Sequence, residues 1–274
     1  MSGAAEREYV LGTHDEELAR LGLQHRVWRP TALACWHRAG ITVGSRVLDV
    51  GAGPGFAAVD LGEIVGPTGR VVAVERSARF AAAGRQACAA RGLAHVEYHE
   101  LDLMQNELPA GEFDASWCRW VACFVPSPRA LVAKVVAALR LGGVAVFHEY
   151  ADYASWRFSP RLPMQEEFVQ KVMASWRESG GEPDIALALP PLLAEAGCVV
   201  REVTPRVFTG RPRDHLWQWP ATFLNVNLDR MRELGQVSAE WAEAARQEFR
   251  AAEANPDALV VTPLLLEIIA ERVR

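Results

Sequence analysis

Three glycines stand two residues apart in VLDVGAGPGF at 47–56, and this segment carries the strongest chemical signal in the chain. A short apolar run, RVLDV at 46–50, ends at Gly51, Gly53 and Gly55, and a stretch of helical spacing follows. Glycine permits a tight turn and lets a ligand approach the backbone closely. A dinucleotide cradle requires G-x-G-x-x-G, but the third glycine position is Phe56. A P-loop requires G-K-[ST], and neither lysine, Lys134 or Lys171, follows a glycine. A phosphate cradle is therefore disfavoured. One unit later, RVVAVE ends at Glu75, a carboxylate that can accept two hydrogen bonds from a ribose diol. The alternative for Glu75 is a surface ion pair with Arg76 or Arg79. Two later strand ends present Cys118-Arg119-Trp120 and His148-Glu149-Tyr150. Ligands in open α/β sheets bind outside such carboxyl ends. His148 is the candidate base there, because imidazole titrates near neutrality. Its alternative is a histidine satisfied by local hydrogen bonds.

The elements that position these residues alternate in period. RVLDV (46–50), RVVAVE (70–75), HVEYHE (95–100), FDASWC (113–118) and VAVFHEY (144–150) read as strands. Segments 56–66, 78–92 and 128–143 have helical spacing; the last carries Leu131, Val132, Val135, Val136 and Leu139 on one stripe. Repeated βα units imply a parallel sheet wrapped by helices, an α/β fold of Rossmann-like, doubly wound type. The expected organisation is an N-terminal helical cap (1–40), a ligand-binding core (41–150), a lid insertion (151–183), a core helix and strand (184–210), a second helical lid insertion (211–258) and a last segment (259–274). That last segment fits either a helix or a buried strand on pattern alone. Five of nine tryptophans follow Tyr150. They suit either packing beneath long helices or an aromatic lid over an apolar or aromatic ligand.

Composition narrows the function classes. The 274 residues are 50% hydrophobic, enough for one large domain or a domain with a lid. The formal net charge of -5 and the lack of a basic stripe argue against nucleic acid as a partner. The five cysteines, Cys35, Cys88, Cys118, Cys123 and Cys198, form no C-x-x-C pair. A disulfide framework or zinc site is not expected, and a reducing cytoplasm is. The polar, acidic N-terminus lacks a signal-peptide core, and no apolar run approaches the ~20 residues of a membrane span.

VLDVGAGPG, VVAVERS, LDL at 101–103, FDASWCRWVACFVPSP and LRLGGVAVFHEY resemble, in order, the motifs of class I S-adenosylmethionine-dependent methyltransferases. The small-molecule enzymes similar to ubiquinone and menaquinone C-methyltransferases are the nearest subgroup. The resemblance covers about 40–150, and TPLLLEIIAER looks like the family's last strand. It implies a seven-stranded sheet whose last strand is antiparallel beside the fifth, and S-adenosylmethionine as cofactor. It also implies that Gly51, Gly53 and Gly55 line the methionine part, that Asp49 sits near the cationic end, and that Glu75, with Arg76 beside it, holds the ribose. Asp102 and Leu103 would border the adenine, and Arg119 the methionyl portion. Where related enzymes often carry a histidine and an aspartate, this chain has Cys123 and Ser127.

Methyl transfer then needs proximity, exclusion of water and a base only if a proton must leave. His148 would be that base. Trp120, Tyr150, Trp156 and Trp217 are the expected contacts of a small, apolar or aromatic acceptor, such as a natural-product intermediate. Tyr9, Gln24 and His25 are the N-terminal residues expected nearest the cofactor; His14 and His37 lie in the same segment. No metal is expected, and a homodimer stays open. Two other readings keep the fold: cyclisation or rearrangement using the bound sulfonium as a fixed charge, and a non-catalytic binding protein. A nicotinamide oxidoreductase is disfavoured by Phe56.

Overall fold

A run of β-branched and apolar residues at 46–50, 70–75 and 113–119 leaves these strands nothing to do but lie buried in the middle of a sheet. The computed structural model describes residues 15–109 and 112–274. In chain order the elements are α1 (Asp15–Arg38), β1 (Arg46–Val50), α2 (Phe56–Val65), β2 (Arg70–Glu75), α3 (Ala78–Ala90), β3 (Val96–Glu100), β4 (Phe113–Arg119), α4 (Pro128–Ala138), β5 (Leu139–Asp152), β6 (Arg157–Ser159), α5 (Pro163–Glu178), α6 (Leu189–Glu195), β7 (Cys198–Arg206), β8 (Thr209–Gly210), α7 (Gln218–Glu233), α8 (Ala239–Glu253), β9 (Leu259–Val261) and β10 (Leu264–Arg272). The main sheet runs β3-β2-β1-β4-β5-β10-β7, with β1 to β5 parallel and β10 antiparallel to both its neighbours. This is the expected seven-stranded arrangement. The order reverses between β1 and β4, which opens a crevice at their carboxyl ends.

α1 covers one face of this sheet. Trp28, Ala32, Cys35 and Trp36 are fully buried along it, and Trp36 packs edge-on against Trp117 of β4 at 5.3 Å. Truncating either tryptophan would cost about 3–5 kcal/mol. Register aligns Arg119 of β4 with His148 of β5 and His148 with Glu267 of β10. Directly paired residues share a face, so these three polar side chains lie in a row beneath α1.

Two boundaries differ from the expected ones. The helical stripe that reads through 143 stops at Ala138, and β5 begins at Leu139. Gly143 explains the shift: a Cβ there would meet the Phe113 carbonyl oxygen at 2.7 Å, which is strand-to-strand proximity. The segment 259–274 is two strands rather than one. β9 joins β6 and β8 in a separate three-stranded sheet, and Pro263, with no N–H to give a ladder, stands between it and β10. Segments 151–183 and 211–258 contribute α5, α7 and α8. α5, α7 and α8 pack on one another, and α7 also packs on α1.

Candidate active site

The turn after β1 is built from glycine because Gly51, Gly53 and Gly55 all take positive φ and at two of them a Cβ would clash. Gly51 has φ +67°, and a Cβ on it would lie 2.5 Å from Val121 Cγ2. Gly55 caps α2 at φ +96°, where a Cβ would approach the Tyr98 hydroxyl at 2.7 Å and the Gly84 Cα at 2.8 Å. The Gly53 N–H donates to Glu75 Oε2 at 2.9 Å, and the Ser77 N–H donates to Oε1 at 2.8 Å. Burial raises the Glu75 pKa, opposed by these backbone donors. Glu75 thus braces the glycine turn and sits at the end of β2 at once.

A cavity of about 290 Å³ opens beside this turn. Asp49, Gly51, Gly53, Glu75, Arg76, Asp102, Leu103, Arg119 and Trp120 all line it, as do Gln24 and His25 of α1. Asp102 fixes its own loop, its Oδ1 accepting from the Met104 N–H at 2.7 Å. Asp49 is almost wholly buried, and its Oδ2 has no hydrogen-bond partner. Burial pushes its carboxyl up to about 7; Arg119 pulls it down and Glu75 pushes it further up. Arg119 lies between two indoles, 5.0 Å from the Trp120 ring and 5.6 Å from Trp117. Its Nη2 meets His25 Nδ1 at 3.1 Å, while its Nη1 has no partner. Burial lowers its pKa to about 10. A buried carboxylate and a buried guanidinium, neither neutralised by an ion pair among the described residues, face one cleft. Uncompensated buried charge is costly. The pair suits a ligand end that carries both a cation and an anion.

The segment after β4 is clamped from below. Both the Val121 and Ala122 N–H groups donate to Glu149 Oε1 at 2.8 Å. Glu149 is fully buried, which raises its pKa to about 7. Trp120, next to the clamp, has φ +53°, a conformation rare for a bulky residue. Glu149 has a role the sequence did not suggest, and Cys123, standing where related chains often have histidine, hydrogen-bonds to the same carboxylate.

Five of the expected site residues are not brought to the cavity. Gly55 works on the far side of the turn, as the cap of α2. His148 is completely buried, with ring centroids of Trp28, Trp117 and Trp120 at 5.6, 5.8 and 5.6 Å. Neither ring nitrogen has a partner, and burial, with Arg119 and Arg206 nearby, lowers its pKa well below the usual value. A ring so enclosed does not reach a ligand in the cleft in this conformation. The two-residue alternation of β5 aims it at α1, where the tryptophans close over it. Tyr150 stacks behind Trp120 at 5.6 Å, Trp156 stacks on Trp219 at 6.1 Å, and Trp217 packs against Phe158 and Phe249. Tyr150 thus packs within the core, and Trp156 and Trp217 pack among the segments 151–183 and 211–258, all beneath the surface. His37 ends α1 far along the helix from His25, and Tyr9 and His14 lie outside the described residues. Sequence reasoning missed Phe80, Phe124 and Val121 as lining residues, because no pattern marks which apolar side chains of a helix or turn border a cleft.

Residues 48–147 match the family model described as a methyltransferase domain. They form a class I S-adenosylmethionine-dependent methyltransferase domain. The ubiquinone/menaquinone biosynthesis C-methyltransferase of Pseudomonas putida F1 is 28% identical over 131 residues, 47% of this chain and 50% of that protein. The demethylmenaquinone methyltransferase of Geobacillus kaustophilus is 26% identical over 200 residues, 68% of this chain and 82% of that one. The chain thus spans about half the length of the first of these curated relatives. A solved geranyl diphosphate methyltransferase in complex with S-adenosylmethionine superposes with a TM-score of 0.54 at 19% identity, covering 96% of this chain and 94% of that one, which speaks to fold alone. S-adenosylmethionine is the cofactor of the methyltransferase domain, and the cleft fits it. Gly53, with φ +56° and open space where a Cβ would stand, leaves room at the turn, and the two orphaned charges match the cofactor's zwitterionic methionine. No helix of the described residues is long and apolar enough to cross a membrane.

Proposed function

We propose that this protein transfers a methyl group from S-adenosylmethionine to an O, N or C atom of a small, apolar or aromatic metabolite. The observation that carries the reading is the unneutralised Asp49 and Arg119 pair at the glycine turn, with Glu75 on the neighbouring strand. In this reading Asp49 meets the ammonium and Arg119 the carboxylate of the methionine. Glu75 takes the ribose with Arg76 at the rim, and Asp102 and Leu103 border the adenine. When bound, the cofactor supplies an electrophilic methyl on a sulfonium. The chain's own contribution is to hold that ligand rigidly, exclude water and present the acceptor in line. Trp120 is the aromatic surface that the acceptor meets first, since it lines the cleft. Tyr150, Trp156 and Trp217 act behind it, as the packing that closes the lid segments 151–183 and 211–258 over the acceptor. The five cysteines are all unpaired and buried, which supports a reducing compartment such as the cytoplasm.

Calorimetric titration tests the cofactor half of this reading, with S-adenosylhomocysteine expected to bind and NAD not to. Incubation of the protein and S-adenosylmethionine with a panel of phenols, amines and activated carbon acids tests the other half, through acceptor-dependent release of S-adenosylhomocysteine. Tight NAD binding without a response to S-adenosylhomocysteine refutes the cofactor assignment, and acceptor turnover with the cofactor left intact refutes methyl transfer.

A further inference from the structure

His25 stands on the inner face of α1, outside the segment 48–147 that carries the family pattern. It is 5% exposed, and its ring stacks on Phe56 at 5.8 Å. Its Nε2 is 2.9 Å from Asp60 Oδ2 on α2, and its Nδ1 is 3.1 Å from Arg119 Nη2 at the end of β4. Only one placement of hydrogens satisfies both contacts. A guanidinium has donors and no acceptor, so Nδ1 must offer its lone pair. An ionised carboxylate accepts and cannot donate, so Nε2 must carry the hydrogen. The ring is therefore neutral and in a single tautomer. Burial lowers its pKa, the Asp60 hydrogen bond opposes that, and Arg119 and Arg29 lower it further. Asp60 stays ionised: burial raises its pKa, but the hydrogen bonds from His25 and from Arg29 Nε, at 2.8 Å, more than reverse this.

The Arg119 guanidinium packs against two indoles, and His25 is the side chain that holds its Nη2 while Nη1 has no hydrogen-bond partner. The His25 contact therefore governs how the guanidinium is presented to the cavity that Arg119 lines. We propose that Asp60 and His25 form a positioning relay in which Asp60 sets the His25 tautomer and His25 orients Arg119 toward the carboxylate of the cofactor's methionine. This rests on the cofactor reading above. It makes α1 part of the cofactor site, with both relay residues acting through Arg119 rather than by touching the ligand's carboxylate themselves.

The relay is tested by the dissociation constants of two ligands, S-adenosylhomocysteine and its decarboxylated analogue S-adenosyl-3-thiopropylamine, which keeps the amine and lacks the carboxylate. His25→Phe keeps the stack on Phe56 and removes both nitrogens. It should weaken S-adenosylhomocysteine about tenfold, the order of a charge-assisted hydrogen bond, and shift the decarboxylated analogue less than about twofold. Arg119→Gln should show the same selectivity. His25→Gln should recover most of the loss, because one amide offers an oxygen to Arg119 and an N–H to Asp60. Equal weakening of both ligands by His25→Phe, or no weakening of either, overturns the relay. If that variant does not fold, the ¹⁵N spectrum of histidine-labelled wild-type protein decides. His25 is expected with a bare Nδ1 and a protonated Nε2, and the opposite tautomer overturns the proposal. Wild-type protein that binds neither ligand refutes the cofactor reading instead, and the tautomer measurement still judges the Asp60–His25–Arg119 geometry.

Discussion

Cofactor binding should expel a proton from Asp49. In the free protein, burial holds this carboxyl at about 7 against an ordinary 3.8. At pH 6.5, half a unit below that value, about three quarters of Asp49 side chains are protonated. An ammonium brought to the carboxylate lowers such a pKa by about 1–3 units. With a shift of about two units, almost none remains protonated at pH 6.5, and about 0.7 of a proton leaves per cofactor bound. The same shift makes S-adenosylhomocysteine bind about 50-fold more weakly at pH 5 than at pH 8. Stability of the free protein runs the other way. A folded pKa above the unfolded one means that the Asp49 contribution is full below 3.8 and is lost as pH rises through about 7. The rise in melting temperature on adding ligand should therefore grow with pH across that window. Calorimetry at pH 6.5 in two buffers of different ionisation enthalpy reads the proton directly. Glu149, also near 7, accepts from Val121 and Ala122 and does not line the cavity, so its titration is common to both states. Asp49→Asn should abolish the buffer dependence and flatten the pH profile. Heats independent of buffer, with an Asp49→Asn protein that binds normally at pH 8, would refute the placement of Asp49 at the ammonium.

Gly51→Ala should abolish measurable cofactor binding, since its methyl meets Val121 Cγ2 at 2.5 Å and its φ is +67°; adding Val121→Ala should relieve the clash and leave only about 1–2 kcal/mol of backbone strain in the unfolding free energy. His148→Leu should leave the dissociation constant of S-adenosylhomocysteine unchanged and keep or raise the melting temperature, because it replaces a buried imidazole without partners by an apolar group. Turnover of an identified acceptor should change only a few-fold, whereas a loss of ~10² or more would show that His148 reaches the acceptor as a base after all. In hydrogen exchange, 151–183 and 211–258 should be less protected than 46–150 and slow on ligand binding; uniform protection would show that the lid does not open.

The sheet and the glycine turn were legible because they rest on short-range rules. RVLDV runs into glycines that must take positive φ, and Glu75 ends the next buried run, so strand order and cleft follow from local pattern. Asp49 and Asp102 were legible as cleft residues only through family resemblance, since their spacing alone says nothing, whereas Arg119 also stood at a strand end. His148 marks where the sequence misleads. Its place at the end of β5 is as expected, but strand alternation gives a face and not a neighbour, and Trp28 from α1, 120 positions away in sequence, closes over it. The roles of Asp60 and Glu149 depend on contacts across 35 and 28 residues, which no local pattern encodes. The split at Pro263 had a visible signal in the proline itself.

The insertion of β10 between β5 and β7 has a consequence for the order in which the chain is made. A ribosome synthesises β7 well before β10, and β7 pairs with no other strand of the main sheet. Until residues 264–272 emerge, β5 lacks its outer neighbour and β7 has no ladder at all. The nascent protein must therefore carry unpaired strand edges on β5 and β7 through synthesis of α7 and α8, with Val199 and Val203 of β7 among its exposed apolar side chains even in the finished fold. A nine-residue segment made after α7 and α8 thus joins β5 to β7, and damage to it should be felt as aggregation during expression before it is felt as lost activity.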